Sequence, residues 1–248
     1  MSDIQVLKRD GTKEQLNLDK VHKMVEFACE GLAGVSASQV EIQSGLQFCD
    51  GITSNDIQEI LIRSASDLIT EENPNYQYVA ARLLLFGLRK AVHGHPEILP
   101  PLLEHVKGCI DKGVYDSAIV NRYSEEEWDR INSFVDHERD YLFTYAGLRQ
   151  VVDKYLVQDR STGKHYESPQ QMYIMIAATL FANYPTETRL DYVRRYYNAI
   201  STHKINIPTP IMGGVRTPIR QFASCVLVDI DDTLDSIFSS DMAIGKYV

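Results

Sequence analysis

Residues 205–227 read INIPTPIMGGVRTPIRQFASCVL. Three prolines (Pro208, Pro210 and Pro218) and the pair Gly213-Gly214 argue against helix and for an extended, locally rigid chain. Proline fixes φ, removes a hydrogen-bond donor and pushes its predecessor away from the α region. The following run, Gln221 to Val228, is apolar and β-prone and predicts a buried strand. Thr209, Arg216, Thr217, Arg220, Ser224 and Cys225 crowd the segment with hydroxyl, guanidinium and thiol groups, suited to a phosphorylated ligand. The plainer alternative is a stiff linker feeding a strand in which Cys225 is a small core residue, as free cysteines commonly are.

Composition narrows the options. The 248 residues allow one large or two modest domains, and a 44% hydrophobic content supports a packed core rather than global disorder. A net charge of −9 argues against a general nucleic-acid binder, which carries a basic surface. No apolar run reaches membrane-spanning length, and Met1-Ser-Asp opens no signal peptide. Cys29, Cys49, Cys109 and Cys225 are far apart, with no CxxC pair or zinc-ligand cluster. The expectation is a cytoplasmic protein in which any disulfide is transient, with neither a nucleic-acid nor a membrane partner.

Upstream, residues 1–92 predict a compact unit of one hairpin and several helices. Ile4 to Arg9 and Glu14 to Leu16 read as strands joined at Asp10-Gly11, a hairpin signal. Asn17 or Asp19 caps a helix with Val21, Met24, Val25 and Ala28 on one face. Thr53-Ser54-Asn55-Asp56 caps another, bearing Ile57, Ile60, Leu61, Ala65 and Leu68. A third, Asn75 to Val92, is apolar enough to be the buried centre. Lys8, Arg9, Lys13 and Lys20 gather at the hairpin and first helix, while Arg89 and Lys90 close the third helix. Cations beside helix N-termini make an anion site; the plainer reading is a solvated basic face.

Gly94-His-Pro96 and Pro100-Pro101 mark a boundary. From 93 to 204 the chain reads as helical scaffold. Ser124 to Glu127 forms a capping box, Tyr141 to Val152 is amphipathic, and Tyr155 to Tyr166 is a hairpin turning at Ser161-Thr-Gly163. Ser168-Pro169 opens the helix Gln170 to Ala182, and Pro185-Thr186 begins another to about Ile200. Tyr192, Tyr196 and Tyr197, at helical spacing, read as core and rim. The tail, 229–248, is an acidic turn and then a helix, for which Asp231 or Asp232 fits as N-cap.

The run PTPIM-G-G-VRTP-x-RQFASCVL closely resembles the segment that enters the catalytic barrel of the class I ribonucleotide reductase large (α) subunit. The resemblance implies that Cys225 is one of two thiols that reduce the substrate and end as a disulfide. It further implies that Ser224 and Thr209 face the substrate, Thr209 on the diphosphate side. The pattern V-x-K-R-D-G-x-x-x-x-x-N-x-D-K, then S-x-D-I, then N-Y-Q-Y-x-A-A-R, resembles the ATP-cone, the regulatory nucleotide domain of these reductases. By position it implies ATP or dATP contacts at Lys8, Glu14, Gln15, Leu16, Asn17, Leu18, Asp19, Lys20, Ser54 and Lys90, with Asp56 helping to shape the pocket. Many cellular members have a histidine four residues after the hydroxyl matching Ser54. Here Gln58 stands there, a neutral amide that cannot gain a proton, and weak or absent inhibition by dATP is expected. Asp232, Thr233 and Leu234 match the site for the specificity nucleotide, and the first of these serves equally well as a helix cap.

The fold expected is therefore mainly α with short β-hairpins. It comprises an ATP-cone (1–92), a helical domain (93–204), and the entry loop, first strand and first helix of an incomplete α/β barrel (205–248). The resemblance covers essentially the whole chain, yet the family's subunit is far longer. The expectation is either an excerpt or the N-terminal piece of a naturally split, phage-type enzyme, inactive and poorly soluble alone. Its implied partners are the remainder of α, a radical-generating β subunit carrying the metal-radical cofactor, a thioredoxin or glutaredoxin dithiol, and a second α. No metal is expected in this chain, and no covalently bound cofactor. Two other readings stay open: a free-standing ATP- or dATP-sensing regulator without catalysis, and a structural assembly subunit.

Overall fold

A hairpin anchored to the start of a helix sets the geometry of the N-terminal unit. The computed structural model describes residues 4–8, 11–45 and 47–247. Strands β1 (Gln5–Leu7) and β2 (Lys13–Gln15) pair antiparallel with Val6 opposite Glu14. Gly11 turns the hairpin at φ 83°, a conformation glycine adopts without steric cost; Arg9 and Asp10 lie outside the described residues. Leu7 donates its N–H to the Ile52 carbonyl at 2.9 Å, and Gly51 donates to the Gln5 carbonyl at 2.9 Å. These bonds fix the hairpin against the residues that lead into α3.

Four helices complete the unit: α1 (Leu18–Cys29), α2 (Ala37–Gly45), α3 (Ser54–Asp67) and α4 (Tyr76–His93). Asn17 caps α1, its Oδ1 accepting from Lys20 N at 3.1 Å. Thr53 and Asp56 cap α3 reciprocally, which satisfies two otherwise orphaned donors. The third expected helix is indeed central: Val79, Ala80 and Leu83 of α4 have no solvent exposure. One face of α4 packs on α1 and α3, and its other contacts reach into the helical region.

That region holds α5 (Leu102–Asp111), α6 (Glu125–Asn132), α7 (Tyr145–Gln150), α8 (Pro169–Phe181) and α9 (Thr186–Ser201). Ser124 and Glu127 form the expected capping box. The expected hairpin is β3 (Gln158–Asp159) with β4 (Lys164–His165). Residues 141–152, read as amphipathic, are shared among three short helical elements. A 3-10 turn (His137–Leu142) precedes α7, and a π-turn (Val151–Tyr155) follows it. Thr144 restarts the helix by accepting from Gly147 N at 3.3 Å, so a side-chain cap splits the apolar pattern. Tyr197 is fully buried and Tyr192 lies at the rim, as their spacing suggests.

The entry segment departs from expectation. Thr209–Gly214 is a short helix, α10, rather than extended chain. Pro208 occupies its N-cap and Pro210 its first turn, where the missing N–H has no intrahelical acceptor to lose. Residues 221–230 form no strand and are largely exposed, Leu227 to 99%. A strand needs a ladder partner, and the two sheets among the described residues, each two-stranded, do not include this run. Finally, Thr233 rather than Asp231 or Asp232 caps α11 (Leu234–Tyr247), accepting from Ser236 N at 3.2 Å.

Candidate functional site

Because β1 is bonded to the residues before α3, the hairpin, the start of α1, the N-terminus of α3 and the last turns of α4 converge. They enclose a cavity of about 430 Å³. Lys8, Glu14, Gln15, Leu16, Asn17, Lys20, Ser54 and Lys90 all line it. Leu18 and Asp19 are exposed on α1 and lie outside the lining. Val6, Val21, Ile57 and Phe86 supply an apolar wall, able to hold a planar ring. The lysines and the N-terminal end of α3 supply positive potential for an anion.

The electrostatics are concentrated on one carboxylate. Glu14 accepts from Lys20 at 2.7 Å and pairs with Lys8 at 2.9 Å. The hydrogen bonds from Lys20 and then Lys8 hold its carboxyl down to about 2. Gln58 also lines the cavity and donates its amide to the Leu83 carbonyl at 2.7 Å. Asp56 lies outside the lining and serves as part of the α3 cap. Arg89, counted above among the surface cations, turns away: it is buried and donates to Asp140 at 2.8 Å and to the His137 carbonyl. Phe86 and Glu97 also line the cavity and escaped the sequence reading. Phe86 lies four residues before Lys90, so helical spacing alone could have found it, whereas Glu97 arrives from an irregular linker.

The second expected site is dispersed. Thr209 lines a separate cavity of about 440 Å³ with Lys154, Tyr155 and Arg160, its hydroxyl 3.5 Å from that of Tyr155. Ser224 and Cys225 sit outside it on the exposed run, Oγ and Sγ 3.9 Å apart. Several groups expected to greet a phosphate are instead used internally. Arg216 is fully buried against Glu167, Thr217 donates to the Gly214 carbonyl, and Arg220 pairs with Asp116 at 2.6 Å. Asp232, Thr233 and Leu234 form the exposed start of α11. Among the described residues no group of three or more His, Cys, Asp or Glu could hold a metal ion, and no helix is long and apolar enough to cross a membrane.

Two family models match separate stretches of the chain. The ATP cone domain family matches residues 4–91, and the ribonucleotide reductase all-alpha domain family matches residues 141–220. The ribonucleoside-diphosphate reductase subunit alpha of Haemophilus influenzae is 54% identical over 245 residues, covering 99% of this chain and 32% of its own. The ribonucleoside-diphosphate reductase 1 subunit alpha of Escherichia coli is 53% identical over 246 residues, with the same coverage. That of Enterobacteria phage T4 is 41% identical over 250 residues, covering all of this chain. The chain thus spans about a third of the length of these relatives. With two family models matched and 99% of its length aligned to the Haemophilus influenzae relative, the chain corresponds to the N-terminal third of class I ribonucleotide reductase α subunits.

Proposed function

We propose that this chain serves as the N-terminal portion of a ribonucleoside-diphosphate reductase α subunit and that the cone cavity binds ATP or dATP as an allosteric effector. The observation that carries the reading is the convergence of eight of the ten cone positions named above on one cavity with cations, a helix N-terminus and an apolar wall. We assign residues 1–92 to the effector domain, 93–204 to the helical domain and 205–248 to the entry into the catalytic barrel.

In that assembly Cys225 and a second cysteine from the remainder of α reduce the substrate. Two thiols give two electrons and two protons, the ribose 2′-OH leaves as water, hydrogen takes its place, and the thiols become a disulfide. An external dithiol of thioredoxin or glutaredoxin type restores them by exchange. The exposure of Cys225 suits such exchange. Thr209 and Ser224 orient the diphosphate substrate, and Asp232, Thr233 and Leu234 hold the specificity nucleotide. The radical comes from a separate β subunit carrying the metal cofactor, and α works as a dimer. Alone, this chain is inactive.

The test combines the chain with a polypeptide supplying the rest of α, together with β and a dithiol. Turnover of a ribonucleoside diphosphate is expected, abolished by Cys225→Ser while ATP binding persists. Full dithiol-dependent turnover in Cys225→Ser would contradict the role of that thiol. Nucleotide binding without any turnover would favour the free-standing sensor.

A further inference from the structure

The two lysines that reach the cavity from the hairpin and from α1 already share an anion. Glu14 stands opposite Val6 in the ladder, and Val6 is part of the cavity wall. Its two carboxylate oxygens are divided between them: Oε2 lies 2.9 Å from Lys8 Nζ and Oε1 lies 2.7 Å from Lys20 Nζ. We infer that Glu14 is a built-in competitor for the phosphate subsite, and that an effector gains Lys8 and Lys20 only by displacing it. Glu14 then sets how much negative charge a ligand must bring, favouring a polyphosphate over a lone phosphate. The inference rests on the reading of this cavity as the nucleotide site.

The chemistry supports exchange rather than permanent closure. An ammonium is a point charge with rotatable donors, so it can leave a carboxylate for a phosphate oxygen without demanding one geometry. The three side chains keep between 33% and 64% of their exposure. Ion pairs this open are weak individually, so the clasp tunes affinity and does not block it. A polyphosphate offers several charged oxygens in a row and can satisfy both lysines at once, as the carboxylate does. The opposite role is a splint, in which Glu14 stays in place and holds the lysines ready for a ligand. The two roles differ in sign: removing a competitor tightens binding, and removing a splint weakens it.

The test is calorimetric titration of the full 248-residue chain with inorganic tripolyphosphate, which has no base to contact the apolar wall, and in parallel with ATP. In Glu14→Gln the affinity for tripolyphosphate is expected to rise roughly three- to tenfold at low salt, the gain shrinking as salt is raised. Glu14→Asp keeps the charge but is one methylene too short to hold both ammoniums, and it is expected to fall between wild type and Gln. Equal or weaker tripolyphosphate binding in Glu14→Gln overturns the inference while wild-type ATP binding leaves the site standing. An Asp variant identical to wild type beside a tighter Gln variant would show a simple field effect and also overturns the clasp. Wild type binding neither ligand overturns both the site and the clasp.

Discussion

Arg216 and Glu167 meet as a two-pronged ion pair from which solvent is wholly excluded, both side chains being 0% exposed. Further hydrogen bonds surround the pair. The Tyr115 hydroxyl and the Val157 N–H donate to the carboxylate, and the guanidinium also donates to the Met212 and Tyr155 carbonyls. The pair thereby ties α10 to the start of α8 and to the loop after α5. Burial opposes the charge on Arg216, but the Glu167 carboxylate outweighs it and raises the guanidinium further.

Removing one partner leaves the other charged and buried. Glu167→Gln or Arg216→Met is expected to cost about 3–5 kcal/mol, seen as a lower urea midpoint with little change in slope. The double variant Arg216→Met/Glu167→Leu should recover a large part of that loss. Single variants costing less than about 1 kcal/mol, the size of an exposed pair, would contradict the buried geometry.

Stability should fall with acidity. Burial pushes the His93, His105 and His137 imidazoles down to about 4. Between there and the usual value near 6.5 the unfolded chain binds more protons than the folded one. The stabilisation is therefore full above about pH 6.5 and is lost as pH falls toward 4. His105 alone accounts for up to about 3 kcal/mol of it. Urea midpoints should drop between pH 7.5 and pH 5, and His105→Gln should flatten the dependence. A midpoint that does not move with pH would contradict this.

Gly87 and Gln58 are coupled across the cavity wall. A Cβ added at Gly87 would lie 3.0 Å from Gln58 Cγ, so the Gln58 side chain, whose amide is held by the Leu83 carbonyl, would have to give by a few tenths of an ångström. Alanine in a helix interior is otherwise favoured over glycine by about 0.5–1 kcal/mol. Gly87→Ala should therefore fail to stabilise the wild type yet stabilise Gln58→Ala by about 1 kcal/mol. Thermal melts of the four proteins measure the coupling, and additive effects would refute the contact.

Gln58 also bears on regulation, because its neutral amide is committed to the backbone of α4. Binding shifts an equilibrium only when affinities for two states differ. In the assembled enzyme dATP is expected to inhibit weakly. A dATP titration giving strong inhibition, reversed by ATP, would show that Gln58 preserves the switch.

Much of this was legible in sequence. Local signals carried it: Asn17, Thr53, Ser124 and Ser168 each begin a helix, and the apolar face of residues 75–92 marks the core helix. The cone cavity could be assembled because its lysines sit beside such signals. What was not legible depended on distant partners. Arg216 reads as a phosphate ligand until Glu167 is seen beside it. Residues 221–228 read as a strand because β-propensity measures fit to a pleated neighbour, and the described residues offer none. Pro208 and Pro210 misled because proline forbids helix interiors but suits helix starts.

Direct titration of ATP into the 248-residue chain tests most simply whether the cone cavity is a nucleotide site. Saturable binding at one site per chain is expected, weakened about tenfold or more in Lys8→Ala/Lys20→Ala with the melting temperature essentially retained. No binding heat at any ATP concentration, or an affinity unchanged in the double variant, would contradict it.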